Sequence, residues 1–170
     1  MRKSNPVIHA IRNRRSVRGY QPGPVSAEQL EIIVDCGRLA PSALNEQIWE
    51  FIVITNPETL ATLAALMPEN GPFLADVPAA IATIGLKKHR SVYLDGAAAT
   101  ENMLLAAHAL DLGACWIQTH EKEYIPSVMK LLKIPAKYTM ISIISVGVPF
   151  GDVSMPEKRP LEAVLHWNKF

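Results

Sequence analysis

The chain has 170 residues, long enough for one domain with a sizeable core or for one half of an intertwined dimer. Its 17 basic and 16 acidic residues leave a formal net charge of +1, which argues against bulk binding of nucleic acid or another polyanion. An apolar share of 49% is ordinary for a soluble globular protein, and Cys36 and Cys115, too far apart for a Cys-x-x-Cys pair, read as buried free thiols of a reducing compartment.

The near-neutral total hides an asymmetry. Arg2, Lys3, Arg12, Arg14, Arg15 and Arg18 all precede Glu28, the first acidic residue. The opening residues are polar, without the apolar stretch of a secretory signal, so a cytoplasmic protein is expected. The spacing predicts a helix over Pro6–Asn13, with Val7, Ile8 and Ile11 on one side and basic residues at its end, where they suit the helix dipole. Arg14-Arg15-Ser16-Val17-Arg18 follows, then the turn Gln21-Pro22-Gly23-Pro24. A guanidinium fork pairs bidentately with phosphate oxygens and a serine hydroxyl adds a short donor, so the stretch reads as an anion site. A solvated basic face is the alternative.

Ser26-Ala27-Glu28-Gln29 forms a capping box that starts a second helix, running to about Leu39 with Leu30, Ile33, Val34 and Gly37 on one face. The loop Ala40-Pro41-Ser42-Ala43-Leu44-Asn45-Glu46-Gln47 is rich in small polar donors. Its Asn and Gln side chains could read the edge of a planar heterocycle, or the stretch could be an ordinary helix-to-strand loop. Trp49–Thr55 reads as a buried strand, and Asn56-Pro57-Glu58 caps a helix to about Met67. Met67–Pro78, with three prolines and a glycine, is expected to be irregular, and Ala79–Leu86 is a second strand.

Ser91–Leu112 is the longest predicted helix, apolar or alanine-like nearly all round and therefore central and buried, with Gly113 fitting its C′ position. Its run from Asp95 to Ala109 is broken by Glu101, Asn102 and His108, which excludes a membrane span. A short strand Ala114–Gln118 ends in Thr119 and His120, where polar residues suddenly appear. That end is either functional or a core strand emerging into solvent. Pro126–Leu132 forms a short helix and Tyr138–Val148 the last strand. Pro149–Pro160 is extended, and the apolar-rich tail Leu161–Trp167 has little of its own to pack on, which suggests docking on a partner subunit. A single domain over residues 1–170 is expected.

Several chemistries are missing. No Walker A loop, G-x-G-x-x-G or G-x-S-x-G elbow occurs. His9, His89, His108, His120 and His166 show no metal-ligand spacing, so surface or hydrogen-bonded structural roles are expected and no metal site is proposed.

Taken in order, the polar clusters resemble the FMN-dependent nitroreductase family across essentially the whole chain. The resemblance rests on Arg14-Arg15-Ser16-Val17-Arg18 with Tyr20, and on Ala40-Pro41-Ser42 through Asn45, Gln47, Trp49 and Phe51. Weaker support comes from Asp95-Gly96-Ala97-Ala98-Ala99, Asn102–Ala107, Cys115-Trp116-Ile117, Lys158-Arg159-Pro160-Leu161-Glu162 and His166-Trp167. It implies an α+β fold: a mixed β-sheet flanked by helices, a long buried central helix and an intertwined homodimer with FMN at the interface. Strand–helix alternation alone would suggest a parallel doubly wound sheet instead. Alternation does not determine strand direction, so the resemblance takes precedence.

By the same resemblance Arg14, Ser16 and Arg18 hold the phosphate, the ribityl chain and the pyrimidine side of the flavin, with Arg15 nearby. Arg18 is the candidate for stabilising the anionic reduced ring. Pro41, Ser42 and Ala43 resemble the part contributed by the opposite subunit, with Asn45 as a ring-edge contact and Gln47 in the same loop. Gln118 and Thr119 fall where the family places backbone near flavin N5. Lys158 and Arg159 resemble the basic residues that close over the phosphate, and spacing from Pro160 favours Lys158.

The implied activity is a ping-pong oxidoreductase that uses NAD(P)H and reduces a nitroaromatic, a quinone or a similar small acceptor. The chemistry lies on FMN, so no catalytic side chain is named. A narrower flavin reaction and a non-catalytic FMN-binding dimer are alternatives. A nucleic-acid module is disfavoured, because acidic residues outnumber basic ones after the arginine cluster. Three departures from the family pattern bear on the substrate. Only Leu86–Arg90 separates the second strand from the central helix, Ile48 stands where proline is usual, and Gln118-Thr119 replaces small or acidic residues.

Overall fold

Local signals set most element boundaries. In the computed structural model, which describes residues 5–170, Asn5 caps the first helix by accepting from the N–H groups of Val7 and Ile8, with Pro6 in its first turn. Arg2 and Lys3 lie outside the described residues. Ser26 and Gln29 make the reciprocal capping box, and Asn56 accepts from Thr59 N–H ahead of Pro57. The elements are α1 (Pro6–Asn13), α2 (Ala27–Arg38), β1 (Trp49–Ile54), α3 (Pro57–Leu66), β2 (Ala79–Leu86), α4 (Val92–Ala109), β3 (Gly113–Gln118), α5 (Ile125–Leu131) and β4 (Tyr138–Gly147). Short 3-10 turns occupy Ala43–Asn45, Pro72–Asp76 and Leu161–Ala163.

The strands form one sheet in the order β1-β2-β4-β3, and every named pair is antiparallel. The class is α+β, and the parallel doubly wound arrangement that alternation alone suggests does not form. Among the described residues parallel pairing is limited to the bridge Ser16↔Ala114 at the free edge of β3, and only through it is the sheet mixed. The misleading signal has a physical source. One face is covered by α3 and α5, packing Leu60, Leu63 and Val128 on Ala82, Ile84 and Ile143. The other is covered by α2 and α4, packing Ile33, Met103 and Leu104 on Ile81, Ile144 and Val146. A strand buried on both faces reads as a continuous apolar run whichever way it points.

α4 crosses the sheet closely enough that a Cβ on Gly96 would sit within 2.3 Å of Ile141. A register shift between Thr83 and Ile84 leaves Ile141 without a direct partner and turns it toward Ile48 and Val92. The helix is central as expected, with Ala99, Thr100, Met103 and Ala107 fully buried, yet Leu94 is 76% exposed. Exposed apolar residues also line α1 (Val7, Ile8, Ile11) and the tail (Leu161, Val164, Trp167). Among the described residues no helix is long and apolar enough to cross a membrane.

Gly113 does not take the C′ role expected of it. α4 ends earlier, with Asp111 adopting the left-handed conformation at φ 58°, and Gly113 opens β3. There a Cβ would meet three Val17 side-chain atoms at 2.8–2.9 Å, so the glycine serves the close approach of the N-terminal segment.

Candidate functional site

Residues 14–21 cross the start of β3 at Ala114 and then pair with residues 148–150, the segment that follows β4. Val17 N–H donates to Ala114 O at 3.0 Å, Gln21 N–H to Val148 O at 2.8 Å, and Phe150 N–H returns to Gly19 O at 3.0 Å. The Tyr20 hydroxyl donates to Val17 O and lies against Ser145 Oγ, both at 2.5 Å, and burial raises its pKa well above the ordinary value. An extended segment alternates its side chains, so burying Val17 sends Arg14, Ser16 and Arg18 to the opposite side. Arg15 takes another direction: its Nη1 donates to the carbonyls of Arg12 and Arg14 at 2.8 and 2.7 Å, closing the C-terminus of α1.

These residues line a cleft of about 560 Å³ whose charged walls are Arg12, Arg14, Arg15, Arg18 and Lys158, with Ser16 between them and no carboxylate. Arg14 Nε lies 3.4 Å from Glu101 Oε1 but is too poorly aligned for a hydrogen bond, so it is buried without a partner. Lys158 faces the cleft, whereas Arg159 Nη2 donates to Ala163 O at 2.6 Å and is held in the tail. Behind the cluster, burial lowers the pKa of His108, and the nearby charges of His9, Arg14 and Arg15 push it the same way. Cys115 sits beneath the strip, where burial pushes its thiol pKa up against the opposing pull of Arg18, Ser16 and Arg14.

A second cavity, about 490 Å³, opens at the other end of β3 and is lined by Tyr93, Trp116, Gln118, His120 and Ile141. From Ala114 to Gln118 the strand advances four residues, about 13 Å. The sheet edge therefore carries an anion cleft at one end and an apolar, aromatic recess at the other. Tyr93 and His120 meet edge to face at 4.4 Å, and His120 Nδ1 lies 3.7 Å from Glu121 Oε2. The carbonyl of Gln118 accepts from Asn70 Nδ2 at 3.1 Å and lies 3.3 Å from the Tyr124 hydroxyl, so the strand end is anchored. Thr119 is 1% exposed with an unpaired hydroxyl, which places its side chain in the core rather than in the recess.

The third polar cluster stands apart. None of Pro41, Ser42, Ala43, Asn45 and Gln47 lines either cavity. Their loop is well defined within the chain nevertheless. Ser42 Oγ accepts from Gln47 N–H at 3.0 Å, Gln47 Nε2 donates to Asn45 O at 3.2 Å, and Ala43 N–H points at both Asp95 oxygens, each at 3.2 Å. Leu44, Asn45 and Gln47 hold φ values of 52°, 58° and 48°. His89 Nε2 lies 2.6 Å from Glu46 Oε2. Sequence reasoning assigned no role to Asp95, Asn70, Tyr93 or Tyr124, because no spacing rule links residues joined only through the fold. His120 stood in the polar strand end that the sequence singled out, and His89 has the hydrogen-bonded role expected as one of two alternatives, with Glu46 as the partner.

A family model described as the nitroreductase family matches residues 11–78 and 65–148. A protein of Methanothermobacter thermautotrophicus, provisionally named NADH dehydrogenase/NAD(P)H nitroreductase, is 36% identical over 148 residues, covering 84% of this chain and 77% of its own. An FMN-dependent nitroreductase from Clostridium difficile shares the structure with a TM-score of 0.90 at 32% identity, over 96% of this chain and 99% of its own. A Parabacteroides distasonis protein, also provisionally named NADH dehydrogenase/NAD(P)H nitroreductase, gives 0.92 at 32% identity, over 98% and 100%.

Proposed function

The chain belongs to the nitroreductase family, and from that premise we propose an FMN-dependent oxidoreductase that draws electrons from NAD(P)H and delivers them to a small oxidised acceptor such as a quinone or nitroaromatic. One observation carries the reading: among the described residues a cleft walled by five cations and no carboxylate lies on the segment that crosses the start of β3, and a separate aromatic recess opens at the far end of that strand. The four-residue rise of β3 from Ala114 to Gln118, about 13 Å, suits a mononucleotide with an extended sugar chain and a flat ring. The residues present fit that group, since Arg14 lines the cleft and its buried Nε has no hydrogen-bond partner. Bound FMN supplies the two-electron chemistry in a ping-pong cycle, with NAD(P)H leaving before the acceptor takes its place.

The chain's own residues bind and orient. Arg14, Ser16 and Lys158 take the phosphate end, with Arg15 bracing the segment that carries them. Arg18, exposed on the same side of the strip, would stabilise negative charge at the pyrimidine edge of a bound flavin. Gln118 and Thr119 present backbone at the anchored end of β3. Pro41, Ser42, Ala43, Asn45 and Gln47 act on the cofactor of the other subunit in a homodimer. Two observations support that assignment: the loop's separation from its own chain's cavities, and the exposed apolar residues on α1 and the tail. Free Cys36 and Cys115 support a cytoplasmic location.

The test is the visible spectrum of purified protein, before and after adding NADH or NADPH, together with its mass in solution. A flavin spectrum that bleaches on reductant and recovers with quinone, in a species of twice the chain mass, is expected. Protein that is colourless and takes up no added FMN would refute the reading, and flavin that no nicotinamide reduces would favour a non-catalytic dimer.

A further inference from the structure

We propose that Asp95 and His89 are positioning residues that brace the loop Pro41–Gln47 in the shape that contacts flavin. The inference rests on the flavin reading above.

The loop holds three non-glycine residues in the left-handed region, at Leu44, Asn45 and Gln47. Side-chain-bearing residues disfavour that conformation, and a cluster of them persists only where surrounding contacts over-determine the backbone. Some of those contacts lie within the loop, such as Ser42 Oγ with Gln47 N–H, and the rest come from the end of β2, its short link to α4 and the first turn of α4. Leu86 N–H donates to Ile48 O at 3.1 Å, fixing the far end of the loop. Asp95, 6% exposed in the first turn of α4, receives Ala43 N–H with both oxygens at 3.2 Å. The helix N-terminus favours a carboxylate there. His89 completes the brace. Its Nδ1 accepts Ser91 N–H at 3.2 Å, which leaves the ring proton on Nε2 to donate to Glu46 Oε2 at 2.6 Å.

The bracing serves something outside the chain's own packing. Pro41, Asn45, Glu46 and Gln47 are exposed, and Leu44 is 82% exposed, so the fixed conformation buries little of the loop itself. A backbone held against its own preference, with Pro41, Leu44 and Asn45 left exposed, is a surface prepared for a ligand or partner. The shortness of the link Lys87–Ser91 is what brings His89 to Glu46. In this chain that link acts as a strut for the loop.

The test compares Asp95→Ala, Asp95→Asn, His89→Ala, Glu46→Ala and Glu46→Gln with the wild type. Three measurements are made: FMN affinity by fluorescence quenching, visible circular dichroism of the bound flavin, and hydrogen exchange of the amides of residues 43–48 in apoprotein. The alanine variants should speed that exchange, weaken FMN by about tenfold, the equivalent of one lost charge-assisted hydrogen bond, and change the flavin dichroism. Asp95→Asn and Glu46→Gln keep an acceptor oxygen and should restore most of the affinity. Unchanged FMN affinity and dichroism in the alanine variants would overturn the proposal. Glu46→Ala removes an exposed side chain, so it decides the matter even if Asp95→Ala does not fold. Wild-type protein that takes up no FMN would refute the flavin reading, while amide exchange would still show whether the brace holds the loop.

Discussion

Replacing Arg14 by alanine should separate recognition of the phosphate from recognition of the ring. Among the described residues the only ion pair to Arg14 is with Glu101, 3.4 Å away, with the two side chains 26% and 44% exposed. A pair that accessible is worth less than about 1 kcal/mol, so the apoprotein should lose at most about 2–4 °C in Tm. Toward a phosphate the balance differs. Arg14 lines a cleft whose described residues include no carboxylate, so an incoming oxyanion gains a charge-assisted hydrogen bond to its guanidinium. Losing such a bond removes about 1.5–3 kcal/mol, or roughly 10- to 100-fold in affinity. The assay is fluorescence titration of apoprotein with FMN and, in parallel, with riboflavin, which shares the ring and sugar chain but lacks the phosphate. Arg14→Ala should weaken FMN by that factor and leave riboflavin nearly unchanged, and the FMN deficit should narrow as salt is raised. Equal losses for both ligands, or none for either, would refute the assignment of Arg14 to the phosphate.

Gly113→Ala should destabilise the protein by about 1–3 kcal/mol, since the new methyl meets Val17 at 2.8 Å and Val17 is tied to Ala114 O. FMN affinity should fall with it, because the arginine strip hangs on that contact; wild-type Tm and affinity in this variant would show that the strip is fixed some other way. His108 should make folding acid-sensitive. Burial and the charges of His9, Arg14 and Arg15 hold its folded pKa below the ordinary 6.5, so the native state binds a proton less readily than the unfolded chain. Above 6.5 it has no effect, and as pH falls below 6.5 toward and through the folded value, stability is lost. Urea unfolding between pH 7.5 and 5 should show a shallower decline for His108→Gln than for wild type, and identical slopes would remove His108 from the account.

Much of this protein is decided within a few residues of chain. Asn5, Ser26 and Asn56 bond to N–H groups two or three positions on, so the starts of α1, α2 and α3 were readable from capping chemistry alone. The arginine strip was equally legible, because an extended segment must place Arg14, Ser16 and Arg18 on one side whatever it packs against. Interactions between distant segments decided the rest. The strands run antiparallel although their composition fits either direction, since helices on both faces erase the alternation that would betray it. Gly113 looked like a helix terminator, yet it is needed where Val17 crosses nearly a hundred residues earlier in the chain. His89 carried the expectation of a surface or hydrogen-bonded structural role, and the fold supplied the partner by setting it 2.6 Å from Glu46. Capping and side-chain alternation act over neighbouring residues and leave a mark in the sequence. Strand direction, close approach and bracing depend on which segments meet, and only the assembled tertiary structure determines that.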